Sequence, residues 1–199
     1  MKKILIIRFS SIGDIVLTTP VLRCLKTQQP DVEIHYLTKK SFNALLENNP
    51  FISKIHCIEK DVKEIATELK AENFDAIVDL HNNLRSLQIK RMLRKPATVF
   101  KKLNFRKWLL VQFKINVMPP VHVVDRYLQT VAHWGIKNDQ KGLDYFIPEK
   151  DEVAPLSLPP SHQGGYIGFV IGAKHFTKQL PLEKLISICR KLNQPLILL

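Results

Sequence analysis

One stretch constrains this chain more than any other: a β-branched apolar run, KILIIR at 3–8, that stops on an arginine and runs into a small-residue turn, FSSIGD at 9–14. A run this apolar suits a strand covered on both faces, and such strands belong to parallel sheets flanked by helices. The pattern returns in VEIHYL (32–37), KIHCI (54–58), DAIVDL (75–80) and a short run near 97–100. Helical spacing fills the intervals. From Ile15 the residues Ile15, Val16, Thr19, Leu22 and Leu25 fall on one helical face, with a kink expected at Pro20, which lacks an N–H. SFNALLENN reads as a short helix, and DVKEIATELKAENF as a helix opening on Asp61 with Glu64 at capping-box spacing. NLRSLQIKRMLRK (83–95) is helical with a basic outer face, and 123–134 is a helix ended by Gly135. The stretch 101–120 is open between a helix and a mobile loop. Strands alternating with helices predict an α/β fold with a Rossmann-like parallel sheet.

The texture changes at PEKDEVAPLSLPPSHQGG, which is rich in Pro, Ser, Gly and charge and has little periodicity. The expected division is therefore a Rossmann-like domain at 1–148, a linker at 149–164 and the start of a second α/β domain at 165–199. That last part reads as strand YIGFVIG, loop AKHFTKQLP, helix LEKLISICRKL and strand PLILL. A lone strand–helix–strand cannot bury its own faces. The expectation is a chain cut short, with most of a second domain missing.

Several classes are disfavoured. No apolar run reaches the roughly 18–20 residues of a spanning helix. The opening MKKILIIR has an apolar part of only about six residues, shorter than a signal core of roughly 7–15. A cytoplasmic protein is expected. Cys24, Cys57 and Cys189 are scattered without CxxC spacing, and read as reduced thiols rather than a zinc or disulfide framework. The formal net charge of +12 calls for an acidic partner. Much of the excess lies in KRMLRKP and KKLNFRKWLLVQFK, between Lys90 and Lys114. Basic and apolar residues alternate there, with Trp108 and Phe113 among them. A nucleic-acid face and a patch resting on anionic lipid both look like this, and composition alone does not choose.

Two constellations carry polar chemistry. Ser10, Ser11, Gly13 and Asp14 follow the first strand at the carboxyl edge of the sheet, where ligands bind in open α/β folds. The small residues and free N–H groups suit an anion and close backbone approach. Neither GxGxxG nor GK[ST] is present, so the turn is not a dinucleotide fingerprint or a P-loop. Taken alone, Asp14 at a helix start reads first as a cap. The second constellation, Asp79, His81, Asn82, Asn83 and Arg85, follows the fourth strand onto the same edge. His81 reads as a polar group orienting a ligand or loop, with proton transfer as the alternative. Arg85 has the planar fork that suits a phosphate or carboxylate. Arg126 and Tyr127, on the helix after Pro120, read as structural. No second carboxylate neighbours Asp14, and the histidines, His35 and His56 included, show no metal spacing. No bound metal is expected.

The opening KKILIIRFSSIGDIVLTTPVLRCLK resembles the N-terminus of the heptosyltransferases of glycosyltransferase family 9, with their S-x-G-D stretch after the first strand. FDAIVDLHNNLRS, HVVDRYLQ and IGAKHFTKQLPLEKL resemble further family segments, in order along the chain. The resemblance implies a GT-B glycosyltransferase: an N-terminal Rossmann-like domain for a lipopolysaccharide acceptor, and a second, here truncated, for the nucleotide sugar, ADP-heptose. It implies an inverting transfer with Asp14 as general base. Thr177 and Lys178 match the family's threonine–lysine loop and would stabilise the leaving diphosphate. Ser10, Ser11, Gly13, His81, Asn82 and Arg85 would meet the acceptor. The His-Asn-Asn at 81–83 departs from many family members, which leaves the acceptor open. No cofactor beyond the donor is implied. A monomer at the cytoplasmic face of the inner membrane is expected, and the chain alone is expected to lack transfer activity. The alternatives are a basic nucleic-acid-binding α/β module, though no RRM, KH or helix-turn-helix signature is present, and a non-catalytic acceptor-binding relative.

Overall fold

The structure, a computed structural model, describes residues 3–173 and 176–199. The chain separates into two compact units, 1–147 and 148–199. In the first, five strands form one sheet: β1 (Lys3–Ile7), β2 (Glu33–Lys39), β3 (Lys54–Ile58), β4 (Ala76–Asp79) and β5 (Ala97–Val99). All neighbours pair in parallel, in the order β3-β2-β1-β4-β5. This is the Rossmann-like α/β sheet that the alternation predicts.

The period of two along each strand splits the core into two layers. Ile4 and Ile6 of β1 join Ile34 and Tyr36 of β2 on one face. They pack under α2 (Thr19–Gln28) and α6 (Val123–Leu128). Leu5 and Ile7 join Leu37 and Ile77 on the other, under α3 (Ala66–Ala71) and α4 (Leu84–Leu93), through Leu69 and Ile89. Burial on both faces is why these strands read as continuous apolar runs.

Four helices differ from expectation. The segment from Ile15 is not one kinked helix. A short α1 (Ile12–Val16) ends, Leu17 and Thr18 turn, and α2 begins at Thr19. Pro20 thus sits in the first turn of α2, where its missing N–H costs nothing. The Thr18 hydroxyl holds the break, donating to the Ile15 carbonyl at 2.6 Å and lying 2.9 Å from the Tyr36 hydroxyl. The segment after β2 is a 3-10 turn over Lys40–Leu45. The helix opened by Asp61 starts as a 3-10 turn, Val62–Ile65, with the expected box: Asp61 N–H donates to Glu64 at 2.7 Å. Within 101–120 the structure settles on a helix, α5 (Asn104–Phe113). After α6 the chain turns, forms a 3-10 turn at Ala132–Trp134 and ends on Gly135, whose φ of 80° suits glycine.

The second unit holds a four-residue helix, α7 (Pro160–Gln163), and two parallel strands, β6 (Ile167–Phe169) and β7 (Leu196–Leu198), joined through α8 (Leu182–Lys191). No residue of α8 is buried.

Candidate active site at the sheet switch point

The strand order places the switch between β1, whose connections run towards β3, and β4, whose connections run towards β5. Ligands in open α/β sheets bind in the crevice at the carboxyl ends of such a strand pair. The turns leaving β1 and β4 there are 8–14 and 80–83, the two constellations singled out in the sequence.

Arg8 ties them together. Its side chain is 9% exposed. Nη1 donates to the Leu80 carbonyl and Nε to the Ser10 carbonyl, both at 2.7 Å. Nη2 lies 2.7 Å from Asp14 Oδ2. One planar guanidinium thus fixes the end of β4, the turn after β1 and the carboxylate. The Tyr127 ring lies 5.8 Å from its centre, and Phe100 meets Tyr127 edge-on at 4.6 Å. Arg8 and Tyr127 are the site residues that sequence reasoning missed or set aside. The available signal was an arginine closing an apolar strand, a costly place for an unpaired charge.

Asp14 is the third residue of α1. Its Oδ2 also accepts from the Ser11 hydroxyl at 2.9 Å and the Ser11 N–H at 3.3 Å. Every hydrogen bond and ion pair of Asp14 among the described residues falls on Oδ2, which leaves Oδ1 uncommitted. Partial burial pushes the carboxyl up, but Arg8 and the Ser11 hydrogen bonds together outweigh it and hold Asp14 below its ordinary value. Asp14 is therefore ionised at neutral pH. Beside it, a Cβ built on the exposed Gly13 would meet nothing within 4 Å. The fold does not need that glycine for internal packing.

The second turn is built by buried Asp79. Its Oδ1 accepts the N–H groups of His81 and Asn82 at 3.1 and 2.7 Å, and Lys90 reaches Oδ2 at 2.7 Å. Asn82 adopts a φ of 51°, tolerable for asparagine, and its amide donates to the Phe100 carbonyl at 3.0 Å. Asn83 caps α4 by accepting the Ser86 N–H at 2.9 Å. His81 packs edge-on against Phe9 at 5.3 Å, and its buried Nδ1 has no hydrogen-bond partner among the described residues. Burial first, then Arg8 and Lys102, push its pKa down to about 4. A neutral imidazole beside an ionised carboxylate is equipped to orient a hydroxyl.

The expected acceptor set is therefore divided. Ser11 and Asn82 spend their side chains inside the protein, positioning Asp14 and the loop. Gly13, His81 and the half-buried Arg85 line the same edge. Thr177 and Lys178 lie exposed in a 3-10 turn, Phe176–Lys178, of the second unit. Beyond Phe100 a cavity of about 430 Å³ opens, lined by Lys101, Leu103, Arg126 and Thr130 among others. The Arg126 guanidinium stacks 4.7 Å from the Phe100 ring.

Taken together, these features define an α/β protein with an ionised aspartate, held by a buried arginine, at the switch point of its sheet. The comparisons place it among known proteins. The model of glycosyltransferase family 9 (heptosyltransferase) matches residues 62–196, and the chain belongs to that family. It is 32% identical over 135 residues to lipopolysaccharide heptosyltransferase 1 of Campylobacter coli, covering 63% of this chain and 40% of that protein. It is 26% identical over 137 residues to lipopolysaccharide heptosyltransferase 3 of Escherichia coli K12, covering 62% of this chain and 40% of that protein. The matched part thus spans about 40% of the length of these relatives. The fold is similar to that of a family 9 glycosyl transferase from Veillonella parvula, with a TM-score of 0.74 and 21% identity over 99% of this chain and 68% of that one. It is also similar to E. coli heptosyltransferase WaaC with ADP, with a TM-score of 0.70 and 20% identity over 98% and 66%.

Proposed function

We propose that this chain supplies the acceptor-binding part of an inverting glycosyltransferase, which moves a heptose from a nucleotide sugar to a lipopolysaccharide core or lipid A acceptor. The observation that carries this reading is the Asp14 carboxylate at the carboxyl edge of the sheet, held ionised by Arg8 and Ser11 on one oxygen, with the other free of protein partners among the described residues. A sugar hydroxyl seated there loses its proton to Oδ1 as it attacks the anomeric carbon; the bond to the nucleoside diphosphate breaks on the opposite face, which inverts the centre. As the new bond forms the hydroxyl becomes far more acidic, so a carboxylate of low proton affinity suffices. Oδ2 keeps its partners throughout, and Arg8 stabilises the site before and after transfer. Neutral His81 and Arg85 orient the acceptor. Thr177 and Lys178 stabilise the departing diphosphate, with ADP-heptose as the donor that fits the family and no metal required for that charge.

The acceptor's phosphates and acidic sugars match the charge of this half of the protein. Between Asp79 and Asp125 there are ten Lys and Arg residues and no acidic one. Phe105, Trp108, Val111 and Phe113 of α5 are exposed among them. An apolar ridge within a basic field suits the anionic inner membrane, where a monomer would find its lipid-anchored acceptor from the cytoplasmic side. Both faces of the five-stranded sheet are covered by helices, which leaves no open sheet on which nucleic-acid bases would stack. The test is a titration of the chain with a phosphorylated lipopolysaccharide-core oligosaccharide. Binding that shifts the Asp14 carboxyl and His81 ring resonances is expected; a saturating titration that leaves both unmoved contradicts the placement of the acceptor.

A further inference from the structure

The opposite end of the sheet carries a second polar cluster. His35 on β2 and His56 on β3 share the parity of Leu37 and Ile58, so they point into the layer beneath α3. Both are buried, at 4% and 1% exposure. His35 Nδ1 lies 2.9 Å from His56 Nε2. Glu72, just past α3, places Oε2 3.8 Å from His35 Nδ1. One ligand atom from each of His35, His56 and Glu72 lies within 4.8 Å of the others. Glu68, one turn earlier on α3, holds His56 Nδ1 at 2.6 Å. Phe74 closes one side, edge-on to both imidazoles at 5.3 and 6.1 Å.

We propose that His35, His56 and Glu72 form a site for one zinc-class divalent cation, with Glu68 orienting His56 from behind. Two neutral imidazole nitrogens facing each other need a proton between them. Glu68 takes the Nδ1–H of His56, so Nε2 presents a lone pair, and His35 must donate from Nδ1. A metal between them uses both lone pairs once His35 carries its proton on Nε2 instead of Nδ1, the Nδ1 proton passing to solvent as Nε2, 3.9 Å from Glu33, takes one up. A tetrahedral ion with bonds of about 2.0–2.1 Å separates its ligand atoms by roughly 3.3–3.4 Å, so the two nitrogens part by about half an ångström and the carboxylate closes in by a similar amount. A carboxylate on the outer nitrogen of a ligating histidine is the usual support of such a site. Burial favours the neutral imidazoles that ligate.

The surrounding charges allow the exchange. Glu72 Oε2 now holds Lys3 at 2.9 Å, but Lys3 also reaches Glu33 at 3.4 Å and keeps that partner when Oε2 turns to the metal. Lys54 stays on Oε1 at 2.7 Å. Three carboxylates, Glu33, Glu68 and Glu72, face the two lysines. Water takes the fourth position. The site lies at the amino ends of the strands, away from the carboxyl edge that carries Asp14. It would pin β2, β3 and α3 together and takes no part in sugar transfer.

The experiment uses the untagged 199-residue chain, stripped with EDTA and titrated with Zn2+ and Co2+. One ion per chain is expected. At a hundredfold excess over Kd, Tm should rise by roughly 5–10 °C. Co2+ should give the intense visible absorption of a tetrahedral site, bleached by Zn2+. Glu72→Gln and Glu68→Gln should each weaken binding by about tenfold or more, while His162→Ala leaves it unchanged. A weak octahedral Co2+ spectrum, a stoichiometry other than one, or unchanged affinity in Glu72→Gln overturns the proposal. The spectrum of the unsubstituted chain decides even where a variant fails to fold.

Discussion

Replacing Arg8 with methionine isolates what the buried guanidinium does. The substitution removes a 2.7 Å bond to the Leu80 carbonyl, one of equal length to the Ser10 carbonyl, and the pair with Asp14. The Asp14 side chain is 39% exposed, so solvent recovers most of its share, and that pair contributes at most about 1 kcal/mol. The carbonyls matter more. Leu80 O accepts a buried bond from a charged donor, worth about 1.5–3 kcal/mol, and loses that partner outright. Methionine returns part of this as apolar packing against Tyr127. The net expectation is a loss of about 2–3 kcal/mol, a fold shift of roughly 30- to 150-fold in the folded-to-unfolded ratio. Arg8→Lys, which keeps the charge but cannot hold three acceptors, should lose somewhat less. Urea unfolding followed by tryptophan fluorescence reads this directly, since Trp108 and Trp134 both lie in the first unit. The same variant should move the Asp14 carboxyl upwards, because burial then acts unopposed by the guanidinium. A stability loss under about 0.5 kcal/mol, with Asp14 titrating as before, refutes the role given to Arg8.

Arg23, 7% exposed at its side chain, grips Asp139 and Asp144, and so fastens 139–144 to α2. Arg23→Met should cost about 3–5 kcal/mol in urea unfolding, and adding Asp139→Asn and Asp144→Asn should restore much of it. Burial and the nearby cations push His81 down to about 4 in the folded chain, against its ordinary value of 6.5 in the unfolded one. The unfolded chain therefore gains a proton first, and stability falls as pH drops from 6.5 to 4, by up to about 1.4 kcal/mol per pH unit and less where solvent reaches the ring. His81→Gln should reduce that slope in urea midpoints measured across the window, the rest coming from His35 and His56, which burial also holds down; an unchanged slope removes His81 from it. Neutralising Lys101, Lys102, Lys107 and Lys114 together should weaken sedimentation with anionic vesicles, more at low salt than at high salt. Equal loss at both removes the electrostatic part of membrane contact.

The strands were legible because parallel pairing buries both faces, so KILIIR and AIVD could be little else. The break between α1 and α2 was not, because what stabilises it is Tyr36, whose hydroxyl meets Thr18 across 18 residues. The apolar spacing reads as one helix kinked at Pro20, and the tertiary hydrogen bond sets a break at Leu17–Thr18 instead. At the site, Asp14 was visible through its position after β1. Arg8 was not, since its most buried acceptor, the Leu80 carbonyl, lies 72 residues away. Asn82 was visible as polar, but its bond to Phe100 depends on β4 and β5 being neighbours. His35, His56 and Glu72 have no metal spacing in sequence; parallel register and helix position bring them together.

The most direct test of the proposed role of Asp14 as proton acceptor is Asp14→Asn, in a transfer-competent form of the protein. Asparagine keeps the volume and can still accept from Arg8 and Ser11, so fold and ligand binding should survive, while the carbonyl cannot take the hydroxyl proton. Turnover of ADP-heptose with a lipopolysaccharide-core acceptor should fall by roughly 10²–10⁴, with acceptor affinity changed by no more than about threefold. Near-normal kcat in the asparagine variant would contradict the base role of Asp14, and a loss confined to acceptor affinity would make it a binding residue instead.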